Sequence, residues 1–470
     1  MNIDLKNLTI EKAHESLKNG DFTCKDLAEA YLAVIKEKDG DIHAYLEVYK
    51  DVLEQAEAAQ KMFAEGKDVL LTGIPFSIKD NILIQGKTFS AGSKILENYT
   101  ASYDATVITE LKKVGAVFLG RVNMDEFAMG SSTEYSAYGP SKNPYDLTRV
   151  PGGTSGGSAA SVAADMALIS LGTETCGSAR EPAAFCGLVA IKPTYGGISR
   201  NGVIAMANSL DQVSPMGKTV RDVEIVWKAL AKNDKNDATS IRDEDRIPKK
   251  ITAKKIGVPW HLFEEGLPEE IMDNFKESVE KFKNAGYEIV DIKLPYSKYS
   301  LAVYYIIMPA EVSTNLSRFD GSRYGARVEG QSIWDMFKKS RSKGFGKETR
   351  RRVILGTYVL SHGYYDAYYN KAWKVRRAIM KETDEAFKIV DFIMTPTVPF
   401  LPFKLGEKMS DPVAMYLCDL FNAPANLTGT PSMALPAGLS KEGLPFSVQL
   451  TAPHFCEEAL FDLGKKFEIM

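Results

Sequence analysis

The chain has 470 residues, 44% hydrophobic and 25% charged, with 58 basic against 61 acidic side chains and a formal net charge of -3. That length can bury a sizeable core, and so balanced a surface excludes polyanion binding by the surface as a whole. No stretch approaches about 18 uninterrupted apolar residues, and residues 1–20 lack an apolar run followed by a small-residue cleavage site, so a cytoplasmic protein with no membrane anchor is expected.

In chain order, residues 1–70 read as a helical layer: Leu27, Ala30, Tyr31 and Ile35 recur at helical spacing, and Val52 to Glu65 continues in the same style. Gly73 to Ile78 and Val117 to Val122 are short runs of strand-forming residues, separated by a helical pattern from Ala105 to Val114. A Gly/Ser-rich turn, Gly152 to Ser158, then opens an Ala-rich helix from Ala159 to Leu168. Residues 233–250 are dense in Asp, Lys, Arg and Asn, as in a solvated connection. Beyond them Lys255 to Val258, Pro268 to Ala285 and Glu288 to Lys293 read as strand, helix, strand. A helical block covers Thr349 to Ile389, and Asp391 to Pro396 and Phe446 to Leu450 read as closing strands. The alternation points to an α/β layer architecture with a mainly parallel or mixed sheet.

Cys24, Cys176, Cys186, Cys418 and Cys456 are odd in number and scattered, with no C-x-x-C pair, which argues against a disulfide framework and a zinc site. The five histidines are equally dispersed, with no H-E-x-x-H helix, so no metal site is expected.

Three segments could carry chemistry. The turn G-G-T-S-G-G-S lacks the ending of a P-loop and the order of a dinucleotide fingerprint, leaving a phosphate cradle, a structural turn or a loop presenting a catalytic hydroxyl. Leu171 to Ala183 sets Ser178 behind a small-residue turn and ahead of Pro182, where its hydroxyl could be exposed beside converging backbone N–H groups, or could simply cap a helix. A serine nucleophile needs a base, and no histidine is near in sequence. Lys79, at the end of the apolar strand I-P-F-S-I, is the candidate: desolvation there would lower its pKa until the neutral amine can accept a proton, although an ordinary surface lysine has the same sequence look.

Together, the Lys79 strand, the G-G-T-S-G-G-S-A-A loop and the run G-S-A-R-E-P-A-A-F-C-G-L-V-A-I-K-P-T-Y-G (Gly177 to Gly196) resemble the amidase-signature family in order and separation. Further stretches, such as Gly120 to Glu134, Ser209 to Met216, Asn315 to Gly325 and Pro424 to Pro431, extend the likeness end to end and towards its branch of glutamine-hydrolysing subunits of tRNA-dependent amidotransferases. The resemblance implies one amidase domain over 1–470, an α/β/α sandwich with a central mixed sheet, its signature core at about 71–220 and 251–470 completing it. It implies a Ser–cis-Ser–Lys relay mapped onto Ser178, Thr154 and Lys79, with the relay residue in a cis peptide. The oxyanion would be held by N–H groups of Thr175, Cys176, Gly177 and Ser178. Substrate α-carboxylate and α-amino groups would be held by Arg352 and Asp419, with Tyr304 lining the pocket.

The substrate implied is glutamine or another small amide. Partner subunits B and C are implied, with tRNA reached only through a partner. No cofactor is implied in this chain; ATP and Mg would belong to the partner subunit.

The pattern is broken beside the reaction centre. Thr154 replaces the usual relay serine, Cys176 a glycine, Glu174 an Asp, Ala179 an Ile, Glu181 a Gln and Tyr135 an Asn. Thr154 keeps a hydroxyl able to donate and accept. A β-carbon at Cys176 would cost about 1–2 kcal/mol if that backbone needs positive φ, and its thiol is a rival nucleophile. Such departures leave open a free-standing amidase acting on aryl, alkyl or oligoamide substrates.

Overall fold

Among the described residues, strand-forming runs fold into eleven strands: β1 (Tyr45–Val48), β2 (Pro75–Lys79), β3 (Val117–Val122), β4 (Ile169–Glu174), β5 (Val189–Lys192), β6 (Gln212–Gly217), β7 (Lys255–Val258), β8 (Glu288–Asp291), β9 (Phe392–Pro396), β10 (Ser432–Leu439) and β11 (Pro445–Thr451). They make one sheet in the order β1-β3-β2-β4-β6-β5-β10-β11-β9-β7-β8. The computed structural model that shows this describes residues 3–252, 254–263 and 266–470; Met1 and Asn2 of the expected N-terminal layer, and Ala253, Glu264 and Glu265 of the C-terminal part, lie outside them.

The sheet is mixed, as expected. β3, β2 and β4 run parallel, β4 through β9 pair antiparallel, and β9, β7 and β8 are parallel again. Both faces are covered: on β5, Val189 and Ile191 enter one apolar core while Ala190 enters another, the period-two alternation of a strand buried on both sides. Strands from 71–220 and from 251–470 meet where β5 pairs with β10, Met433 opposite Ile191.

Residues 1–70 are not purely helical. Helices Ile10–Asn19, Cys24–Ile42 and Val52–Ala64 form, the second starting at a capping box in which the Thr23 side chain accepts from Asp26 N–H and the Asp26 carboxylate from Thr23 N–H. Between them β1 adds to the sheet edge, Tyr45 opposite Val122. Four residues are too short for alternation to stand out against flanking helices.

β3 and β7 fall where the sequence placed them, while β4, β5, β6 and β10 were not anticipated; they contain Gly172, Lys192, Pro215 and Pro436, which dilute strand signals. The helical block resolves into Lys347–Val359 and Lys371–Ile389, joined after Gly363 by a π-helical turn, Tyr365–Asn370.

Candidate active site

The chemistry-bearing segments converge at the carboxyl ends of three adjacent parallel strands, where ligands of α/β sheets commonly bind. Lys79 is the last residue of β2, Ser178 follows β4, and Thr154 lies in the loop between β3 and the helix Gly156–Ala163. That helix can press onto the end of β3 because residue 157 is glycine: a β-carbon there would come within 2.5 Å of the Asn123 carbonyl oxygen.

Lys79 is fully buried. Its Nζ donates to Thr154 Oγ1 at 2.8 Å, Ser155 Oγ at 2.7 Å and the Thr173 carbonyl at 3.1 Å. Burial lowers its pKa to about 7, against the raising pull of Asp125, Asp211 and Glu174. Among the described residues no carboxylate pairs with it directly, so the neutral amine is accessible near neutral pH. The Gly153–Thr154 peptide is cis, as the resemblance implied. Within the Gly-rich turn, the Thr154 hydroxyl faces the Lys79 amine.

Ser178 does not cap the following helix: Arg180–Phe185 is preceded by Ala179. The Ser178 carbonyl accepts from Ser155 N–H at 3.0 Å, tying the nucleophile turn to the relay loop. The Ser178 hydroxyl makes no hydrogen bond among the described residues, so the Thr154–Ser178 leg is open in this resting arrangement.

The oxyanion turn departs from expectation at Gly177. Its N–H donates to Glu174 Oε1 at 3.1 Å, and the same carboxylate accepts from the N–H groups of Ala179 and Arg180. Glu174 has one more methylene than the family's usual Asp, and it folds back over the turn and occupies this donor. Thr175, Cys176 and Ser178 N–H groups donate to no acceptor among the described residues. Cys176 has an ordinary negative φ; the left-handed residue is Gly177, φ 77°, where a β-carbon would also press on Asn422. The strain expected at Cys176 is therefore absent. Its thiol is buried and pushed well above its ordinary pKa by burial and by Asp419, the opposite of a reactive thiolate.

Arg352 and Asp419 are brought together through Tyr305, which no sequence motif marks. The Arg352 guanidinium lies 5.4 Å from the Tyr305 ring centroid and equally far from that of Tyr416. The Tyr305 hydroxyl donates to Asp419 Oδ2 at 2.7 Å. Arg352 Nε is held by Glu348 Oε1 at 2.8 Å, while Nη2 is buried with no hydrogen-bond partner among the described residues, leaving one edge of the fork open to a carboxylate. Burial raises the Asp419 pKa to about 7, with Tyr305 and Arg352 pulling the other way. Tyr304 is buried beside Tyr305, ring centroids 4.8 Å apart. Glu348 precedes Arg352 by one helical turn, a spacing readable in advance; Tyr305 and Ser155 are each adjacent to a residue that the sequence marks, and only three-dimensional placement distinguishes them.

A buried lysine on a paired hydroxyl, beside a serine at the mouth of a tight turn, narrows the comparison with known proteins. A family model described as Amidase matches residues 26–461. The chain belongs to the amidase family.

Among relatives of this amidase, the A subunit of glutamyl-tRNA(Gln) amidotransferase from Desulfatibacillum aliphaticivorans is 47% identical over 471 residues, covering 99% of this chain and 97% of its own. The protein of the same name from Koribacter versatilis is 47% identical over 474 residues, 99% of each chain. The crystal structure of the corresponding glutamyl-tRNA(Gln) amidotransferase protein from Thermotoga maritima superposes with a TM-score of 0.80 at 39% identity, covering 98% of this chain and 94% of that one. A chain from a vestigial complex linked to the origins of an s-triazine catabolic enzyme gives a TM-score of 0.85 at 27% identity, over 98% of each. The chain is thus an enzyme of the amidase and amidotransferase-subunit kind, and no helix among the described residues is long and apolar enough to cross a membrane.

Proposed function

We propose that the chain, as a single amidase domain, is the glutamine-hydrolysing subunit of a cytoplasmic glutamyl-tRNA(Gln) amidotransferase, with Ser178 as nucleophile and Lys79, through Thr154, as base. The observation that carries this reading is the Lys79 amine on the Thr154 hydroxyl at 2.8 Å, next to the Ser178 turn.

Neutral Lys79 takes the Thr154 proton while Thr154 takes that of Ser178, and Ser178 Oγ bonds to the carboxamide carbon. The oxyanion then faces the N–H groups of Thr175, Cys176 and Ser178. On collapse the C–N bond breaks and the relay returns its proton to the leaving nitrogen, releasing ammonia. Water, deprotonated by the same relay, cleaves the acyl ester to glutamate. The open Thr154–Ser178 leg closes when substrate fills the site; catalytic hydrogen bonds often tighten in this way.

Arg352 Nη2 would take the substrate α-carboxylate and Asp419 the α-ammonium, a fork for a planar anion and an acid for a cation. Tyr304 packs beside them. Ammonia would pass to partner subunits B and C, where ATP, Mg and the glutamyl-tRNA would be handled; this chain would meet tRNA only through them. Relatives of that name at 47% identity over full length favour this over a free-standing amidase, and the relaxed backbone at Cys176 removes one reason for the alternative.

The test is ammonia release from glutamine by the purified chain, alone and with partner subunits and glutamyl-tRNA. Release that rises on their addition is expected. Turnover of aryl or alkyl amides with none of glutamine, under either condition, would contradict the reading.

A further inference from the structure

A cavity of about 210 Å³ lies between β9, β11, the helix Ala423–Thr428 and the loop from Leu294 to Ser297, and none of the residues placed in the active site lines it. Inside the rim its described polar lining is neutral and includes Thr383, Thr395, Thr430 and the Gln449 carboxamide. Leu294, Ile393 and Phe421 contribute apolar wall. Among the described residues, His261 and Lys298 are the only ionisable side chains that line it, and both are exposed at its rim. An interior without charge disfavours an ion, which would lose its hydration with no counter-charge, and suits an uncharged molecule with an aliphatic body and one polar head.

The floor of this cavity is bonded to the anchor of the nucleophile turn. Gln449 Nε2 donates to Thr395 Oγ1 at 2.8 Å and to the Phe421 carbonyl at 2.6 Å, while its Oε1 accepts from Arg180 Nη1 at 2.5 Å. The Thr395 hydroxyl accepts from Gln449 and donates to no acceptor among the described residues, which leaves its proton for a guest. Arg180 Nη2 also donates to the Asn422 carbonyl at 3.1 Å, just ahead of the helix whose Pro424, Ala425 and Thr428 form cavity wall, and to Asn426 Oδ1 at 2.6 Å within that helix. Arg180 Nε in turn donates to Glu174 Oε1 at 2.9 Å, and Glu174 holds the backbone of Gly177, Ala179 and Arg180 around Ser178. Gln449 and the Ala423–Thr428 helix therefore present one side to the cavity and another to Arg180.

From this juxtaposition we infer that the cavity is a second, non-catalytic site for a small uncharged amphiphile bearing a hydroxyl or carboxamide head, and that its occupancy reaches the Ser178 turn through Gln449 and Arg180. A guest that reorients the Gln449 carboxamide removes or strengthens an acceptor of Arg180, and Arg180 shares its remaining bonds with the turn.

The experiment titrates the full chain with 1,2-hexanediol, which has no amide bond to hydrolyse, and reads thermal unfolding and the kcat of amide hydrolysis. The wild type should show a saturable rise in Tm and a change in kcat of about twofold or more with the same half-saturation. Both responses should vanish in Ala425→Leu, which fills the cavity from the helix, and in Leu294→Phe, which fills it from the opposite loop should the first variant fold poorly. No saturable Tm shift in the wild type, or an undiminished one in a folded filled variant, overturns the site. A saturable Tm shift with unchanged kcat overturns its connection to Ser178.

Discussion

Glu174 and Gly177 are joined by a 3.1 Å hydrogen bond from the glycine N–H to the carboxylate, which removes that donor from the oxyanion set and ties the nucleophile turn to an ion pair. The pair itself, Glu174 with Arg180, is fully buried. Although burial opposes it, Arg180 holds the Glu174 carboxyl below its ordinary value of 4.5.

Glu174→Gln should therefore cost stability, because it leaves Arg180 as a buried charge without its counter-ion, a loss of about 3–5 kcal/mol. Urea unfolding at pH 7 measures it. Since the folded-state pKa is lowered, the stabilisation is present at neutral pH and is lost as pH falls below about 4.5 towards the folded value, so the two proteins should converge in acid. Equal midpoints at neutral pH would contradict this account of the pair.

Thr154 supplies a hydroxyl rather than bulk. Thr154→Val keeps the shape and removes the proton path, and should lower kcat by about a hundred- to ten-thousandfold. Thr154→Ser, which restores the usual family residue, should retain most activity. Steady-state kinetics on the two variants checks both directions; comparable activity in wild type and Thr154→Val would exclude the relay.

Acid should inhibit with a slope that depends on the substrate. Lys79 must be neutral to act, and burial brings its pKa to about 7, so activity should rise as pH increases through that value. Asp419, raised to about 7 by burial, must be ionised to hold an ammonium. The acid limb of kcat/KM should therefore be steeper for glutamine than for a neutral amide lacking an α-amino group. Asp419→Asn should weaken glutamine binding and remove the difference in slope. Parallel acid limbs in the wild type would take Asp419 out of substrate binding.

Tyr305 holds the two ends of the substrate site. Tyr305→Phe leaves the ring under Arg352 but removes the donor to Asp419, and a hydrogen bond to a charged group is worth about 1.5–3 kcal/mol, roughly ten- to over a hundredfold in the KM for glutamine. The KM of a neutral amide without an α-amino group should move far less. Equal effects on both substrates would mean that the tyrosine only supports packing.

Much of this was legible in the residues. Lys79 could be placed at the end of β2 because I-P-F-S-I is an apolar run that stops at a charge, and Ser178 because small residues and Pro182 bracket it. β7 and β3 stood out through β-branched content over four to six residues. What stayed hidden depends on contacts distant in sequence. Glu174 closing on Gly177 is a matter of one methylene's reach. Tyr305 reaching Asp419 spans 114 positions, and periodicity carries no signal of such a pair. β5 and β6 stay hidden in the sequence because Lys192 and Pro215 look wrong for buried strands until their neighbours are known.

The central claim is that the acyl group of the amide passes to Ser178. Acid quenching during turnover, followed by proteolysis and mass spectrometry of the peptide containing residues 175–180, tests it most directly. With glutamine as substrate the account predicts one glutamyl adduct on Ser178, absent in Ser178→Ala and strongly reduced in Lys79→Ala. An adduct on Cys176 instead, or undiminished hydrolysis by Ser178→Ala, would contradict it.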